Sequence, residues 1–220
     1  MLDQVIGSLF ATLTYSEYCL RLSVTLPADY QFTEQLPVMV WVHGGYYVTG
    51  AGDLPLYDPA ALMSEQRLVF VAVTYRLGLL GFLGNEKGSP LNLGLVELLV
   101  ALRWVQRNIS AFGGEPSLVT LLGHSSRADA IVQLLLVPEA ACLFRRVILH
   151  SVPLDLTRHR QAMTRAMNKA AGLLLPSAPI SEILARTRVV TNAARWFGLK
   201  ERDAIRPAVR SVPSATRNGH

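Results

Sequence analysis

Between Ser117 and Val137 the hydropathy pattern changes period at a turn that carries two adjacent serines. Ser117–Leu122 reads as a strand, Gly123-His124-Ser125-Ser126-Arg127 as a tight turn, and the residues up to about Val137 as a helix that Pro138 ends. A serine on a sharp strand-to-helix turn projects its Oγ above the sheet edge, the geometry of the nucleophile elbow written G-x-S-x-G. The flanking glycines serve a strained backbone and a helix packed close to its strand. The helix N-terminus aims backbone N–H groups at the place where an oxyanion would form. Ser125 is therefore the candidate nucleophile, with Gly123 as its supporting glycine.

A second element precedes it. Pro37–Val42 is a short Val-rich apolar run suited to a strand buried on both faces, and His43-Gly44-Gly45-Tyr46 follows directly. Backbone N–H groups of such a glycine-rich loop form the other half of an oxyanion hole. Each motif alone is weak; the pair in this order, each directly after a buried strand, is much stronger. Leu20–Leu26 and Leu68–Tyr75 read as further strands, and Phe144–His150 as another. Gly78–Gly84 reads as a Gly/Leu-rich loop. Gly94–Ile109 has helical spacing, with Leu98, Ala101, Leu102, Val105 and Ile109 on one stripe. This alternation predicts an α/β fold with a largely parallel sheet flanked by helices. Beyond Asp155 two helical stretches follow, Gln161–Leu175 and Ser181–Trp196, and Ser211–His220 reads as a frayed tail. The whole is read as one domain, with a core over 16–155 and a helical segment over 156–210.

Composition excludes several classes. Half of the 220 residues are hydrophobic and 17% are charged, which argues against disorder. The mean hydropathy of +0.29 is high. Even so, runs such as Leu68–Val73 and Leu134–Val137 fall far short of the roughly 20 apolar residues of a membrane span. The net charge of +5 is split: 7 Lys/Arg against 12 Asp/Glu over residues 1–144, and 14 against 4 over 145–220. The arginines of the basic part are scattered among Ala and Leu without aromatic interleaving, so they read as a solvated helical face and not as a nucleic-acid surface. Cys19 and Cys142 make no disulfide framework and read as small buried hydrophobes. Met1–Tyr15 has no basic n-region and no cleavage pattern, which points to the cytoplasm.

The sequence resembles the type B carboxylesterase and cholinesterase family. The matching residues run from Ser16-Glu17-Tyr18-Cys19-Leu20 through Val38–Gly45, Tyr75-Arg76-Leu77-Gly78, Gly81-Phe82-Leu83, Asn92, Gly94-Leu95 and Ala101–Gln106. They continue through Ala111–Pro116 and Val119–Gly123 to Leu143–Arg146. The resemblance implies an α/β-hydrolase fold and two-step acyl transfer on a small-molecule ester. Ser125 would be the nucleophile, and the N–H groups of Gly45, Tyr46 and Ser126 the oxyanion hole. His43 and Gly44 would support that loop. No metal or organic cofactor is implied.

Three departures from the family pattern shape the expectations. Arg127 stands at the second elbow glycine. A side chain there is expected to clash and distort the turn, and a nucleophile misplaced by ~1 Å loses on the order of a hundredfold in rate. Tyr46 stands at the third glycine of the loop, where its N–H survives and its Cβ points near the acyl site; Gly50 and Gly52 remain. His124 replaces the family's usual glutamate. Finally, the triad order in this fold is Ser, acid, His, and 95 residues follow Ser125. In the family both partners lie farther on. The chain as it stands is thus expected to lack them, together with the C-terminal β-strands and the first strands that carry the usual disulfide partner of Cys19. Sheet edges left unpaired would favour self-association. His150 reads as a satisfied structural histidine, His159 as surface and His220 as terminal, while Asp129, Glu139 and Asp155 show no distinguishing pattern. Two readings follow: a serine carboxylic ester hydrolase, or a catalytically inactive truncated remnant or interaction module of the same family.

Overall fold

The computed structural model describes residues 18–45, 47, 50–83, 92–153, 160–171 and 180–192. Tyr46, Gly84, Asp155, His159, His220 and the tail Ser211–His220 lie outside these, as do the ends of two expected helices beyond Ala171 and Asn192.

Among the described residues five strands form one sheet: β1 (Arg21–Thr25), β2 (Leu36–Val42), β3 (Val69–Thr74), β4 (Gly114–His124) and β5 (Arg146–His150). Their spatial order is β1-β3-β2-β4-β5. β1 runs antiparallel to β3, and the other three pairings are parallel. The order makes β2 and β4 neighbours, so the glycine loop after β2 and the serine turn after β4 emerge at the same end of the sheet. Val42 pairs with Gly123 at that end.

Burial explains the strand register. In β2 the alternate residues Leu36, Val38, Val40 and Val42 are fully buried, whereas Met39 and Trp41 are only half-buried and Pro37 is exposed. The expectation of a strand buried on both faces is thus met by β3, all six residues of which are buried, and corrected for β2. Pro37, which lacks an N–H, sits at a register shift between Leu36 and Val38, a place where no ladder bond is lost.

Helices cover both faces. On the main face α3 (Leu93–Asn108) supplies Leu95, Leu98, Leu99, Leu102 and Val105, and α4 (Ser126–Leu135) supplies Ala130, Ile131 and Leu134. They pack with Val38, Val40 and Val42 in one core, which Met167 of α5 (Arg160–Ala171) and Val190 of α6 (Ile180–Asn192) also join. On the other face Leu62 and Met63 of α1 (Ala60–Glu65) pack with Leu68, Phe70, Ala72, Met39 and Trp41. The short helix α2 (Gly78–Phe82) corrects the expectation of a loop there, since Leu79 and Phe82 turn inward and are buried. Neither cysteine is fully buried, another correction: Cys19 is half-buried and Cys142 exposed. Among the described residues no helix is long and apolar enough to cross a membrane.

One polar residue is built into α3. Glu97 is buried and ties the helix to the segment after β3: its Oε2 accepts the Arg76 N–H at 2.8 Å and its Oε1 pairs with the Arg76 guanidinium. Glu97→Ala leaves the Arg76 N–H and half-exposed guanidinium without that carboxylate. The expected loss is about 2 kcal/mol, read as a lowered urea midpoint at unchanged m, with Glu97→Gln losing less.

Candidate active site

The site is assembled where β4 hands over to α4. Ser125 has φ 58° and ψ −123°, a combination that a non-glycine residue adopts only when its surroundings impose it, at about 1–3 kcal/mol. Two hydrogen bonds impose it here. The Ser125 N–H donates to the His150 carbonyl at 2.8 Å, and the Ser125 carbonyl accepts the Asp129 N–H at 3.2 Å. The end of β5 therefore fixes one side of the serine and the first turn of α4 the other. Ser125 itself is half-buried and His124 beside it is exposed. Among the described residues none holds the Ser125 Oγ in a hydrogen bond.

Gly123 makes the sharp turn sterically feasible. A Cβ there would lie 2.9 Å from the Ala128 nitrogen and 3.0 Å from the Arg127 carbonyl carbon. Helix and strand thus approach as closely as the elbow pattern requires.

The loop after β2 lies against this turn. A Cβ on Gly44 would come within 3.4 Å of the His124 carbonyl oxygen, so Gly44 sits over the residue that precedes the serine. Gly45 has φ 136° and Tyr47 φ 65°. Their neighbour Tyr46 is outside the described residues. His43 is fully buried, its Nδ1 is 3.1 Å from the Gly44 carbonyl oxygen, and its ring fills the space beside Gly50, where a Cβ would collide with Nδ1. Burial, reinforced by the nearby Arg127 charge, lowers the His43 pKa to about 3. The ring is neutral at ordinary pH and acts as a wedge under the loop, not as a proton acceptor.

Arg127 corrects the expectation of a distorted elbow. The strained serine conformation is kept, and the Arg127 side chain turns inward, 0% exposed, below the glycine loop. Its Nε donates to the His43 carbonyl at 2.6 Å. The guanidinium carbon lies 4.7 Å from the Tyr47 ring centroid and 5.2 Å from that of Tyr75. Two residues below it, Asp129 accepts a hydrogen bond from the Tyr47 hydroxyl at 3.0 Å. Burial pushes the Tyr47 phenol well above its ordinary pKa, and the Asp129 charge adds to this, so Tyr47 stays a protonated donor; burial likewise raises Tyr75 to about 12. Ser126 is buried, with its Oγ unpartnered among the described residues.

The structure thus brings together Ser125, Gly123, Ser126, His43, Gly44 and Gly45 of the expected site. His150 is corrected: its side chain is exposed, and what it contributes is its backbone carbonyl. Tyr47, Tyr75 and Asp129 were not legible as part of the site. Asp129 offered one signal, its place four residues after the serine in the first turn of the helix. Among the described residues no group of three His, Cys, Asp or Glu side chains could hold a metal ion.

A mixed sheet with helices on both faces and a serine turn at the end of an interior strand defines an α/β-hydrolase. The carboxylesterase family model matches residues 3–189, and the chain belongs to that family. Among individual relatives it is 43% identical over 155 residues to a probable N-octanoylanthranilate hydrolase, AqdA2, of Rhodococcus erythropolis, covering 70% of this chain and 34% of that protein. To the liver carboxylesterase of Sus scrofa it is 39% identical over 181 residues, 79% of this chain and 32% of that one. A solved thermophilic PNB esterase superposes with a TM-score of 0.76 at 30% identity, over 96% of this chain and 44% of that chain. The chain spans about a third of the length of the curated relatives it matches.

Proposed function

We propose that this chain carries the nucleophile and the oxyanion hole of a serine carboxylic ester hydrolase. The observation that supports this reading is the imposed conformation of Ser125, φ 58° and ψ −123°, with Gly44 set against the carbonyl of His124, the residue before it. In the proposed reaction Ser125 Oγ attacks the ester carbonyl carbon. The carbonyl oxygen becomes an oxyanion received by the N–H groups of Gly45, Tyr46 and Ser126. The serine proton passes to a general base and from it to the departing alkoxide, which leaves as the alcohol. Water then attacks the acyl-enzyme, releasing the acid and regenerating Ser125. His43 is not assigned as that base, since its ring is fully buried with Nδ1 against the Gly44 carbonyl. The histidine and carboxylate of the triad follow the serine in the chain order of this fold. Oxyanion donors stabilise the charge that develops when Ser125 adds to a strong electrophile, and a fluorophosphonate is such an electrophile.

The test is intact-mass measurement after incubation with a fluorophosphonate, with Ser125→Ala in parallel. One adduct is expected on the wild-type chain and none on the variant. A wild-type chain that is folded by circular dichroism and stays unmodified defeats this reading in favour of a silent member of the family. An adduct that persists in Ser125→Ala places the reactive group elsewhere.

A further inference from the structure

Helix α4 grips the glycine loop at two points. Arg127 reaches the His43 carbonyl at the start of the loop, and Asp129 holds the Tyr47 hydroxyl past its glycines. The two grips share a part, because the Arg127 guanidinium also lies against the Tyr47 ring. Tyr75 closes the other side, with its ring 5.5 Å from that of His43.

This arrangement is costly to the folded state. Arginine brings a guanidinium cation into this position. It is 0% exposed, its two terminal nitrogens have no hydrogen-bond partner among the described residues, and no described carboxylate forms an ion pair with it. Burying such a charge opposes folding more strongly than one neutral-acceptor hydrogen bond and two ring contacts favour it. A side chain that only filled space would serve better without the charge.

We propose that Arg127 is a positioning residue: it clamps the oxyanion loop to the nucleophile elbow and does so at the expense of stability. The proposal rests on the reading of Ser125 and the Gly45 turn given above, and extends it to a residue that touches no reacting atom. It makes a prediction that sets it apart from a plain packing role. Removing the charged side chain must loosen the loop and slow Ser125 while making the protein more stable; loss of ordinary packing lowers both together.

The experiment compares Arg127→Met and Arg127→Lys with the wild-type chain in three measurements: the thermal midpoint, the second-order rate of fluorophosphonate labelling, and amide hydrogen exchange at Gly44 and Gly45. For Arg127→Met the midpoint is expected to rise by several degrees. Labelling is expected to slow, and exchange at the two glycines to quicken, by about tenfold or more. Arg127→Lys keeps a charge and a donor that can reach the His43 carbonyl, and is expected to recover much of the labelling and the protection. Should Arg127→Met fail to fold, Arg127→Leu likewise removes both the charge and the donor, and the same signs are expected. Unchanged exchange at Gly44 and Gly45 overturns the clamp, and so does a slower rate accompanied by a lower midpoint. If the folded wild-type chain does not label at all, the hydrolase reading fails by itself. The exchange and midpoint results then decide the clamp alone.

Discussion

Gly123→Ala is expected to cost about 2 kcal/mol of stability and to slow labelling of Ser125 on the order of a hundredfold. The reason is the kind of atom that the new methyl group would meet. A Cβ on Gly123 falls 2.9 Å from the Ala128 nitrogen and 3.0 Å from the Arg127 carbonyl carbon, both backbone atoms of the first turn of α4, and 2.6 Å from Ile131 Cδ1. The isoleucine can change rotamer, but the backbone atoms move only if the helix moves. That helix carries the Asp129 N–H that fixes the Ser125 carbonyl and the Arg127 side chain that reaches His43, so its displacement is felt on both halves of the site. Urea unfolding and labelling rates measured on Gly123→Ala and on Gly123→Ala/Ile131→Val check the argument. Trimming the isoleucine should recover little of the rate. If it restores the rate fully, the side-chain contact and not the backbone contact dictates the glycine.

Much of this architecture was legible because the patterns that encode it are local. The β-branched residues of β3 and the helical spacing of Leu98, Leu102, Val105 and Ile109 state their burial directly, whereas Ala101 of the same expected stripe is half-buried. The elbow and the glycine loop were legible for a related reason: strained turns demand particular residues at fixed offsets from a strand. What escaped was set by contacts distant in sequence. The burial of Glu97 depends on the Arg76 backbone 21 residues away, and the Tyr47–Asp129 bond spans 82 positions. Nothing in an apolar helical stripe announces a buried carboxylate. The misjudgement of Arg127 has the same origin. Local steric reasoning saw a bulky side chain at a glycine position. The space that receives it lies between Tyr47 and Tyr75, on segments that follow two other strands. His150 shows the converse error, in that the residue matters through its carbonyl, which any amino acid would provide.

Acid should weaken this fold well before its exposed carboxylates titrate, and His43 is the cause. Its folded pKa is lowered to about 3 from 6.5, first by burial and then by the Arg127 charge. Between those values the unfolded chain takes up a proton that the folded chain refuses. Stability is therefore fully present above about pH 6.5 and falls as the pH drops, by about 1.4 kcal/mol per unit. From pH 6.5 to 4.5 the expected loss is on the order of 2–3 kcal/mol. It appears as a falling urea midpoint across a pH series. His43→Gln removes the titrating ring and should flatten that part of the profile, even if its stability at neutral pH is lower. Parallel profiles for the two proteins would place the proton uptake elsewhere. Arg127→Met provides the second arm: with the neighbouring charge gone, the His43 pKa rises toward its ordinary value and the acid loss shrinks, although burial still depresses it. The two substitutions thus test one electrostatic unit from both sides. A neutral imidazole and a permanent cation are packed beneath the same glycine loop, and each makes the other harder to protonate or to bury.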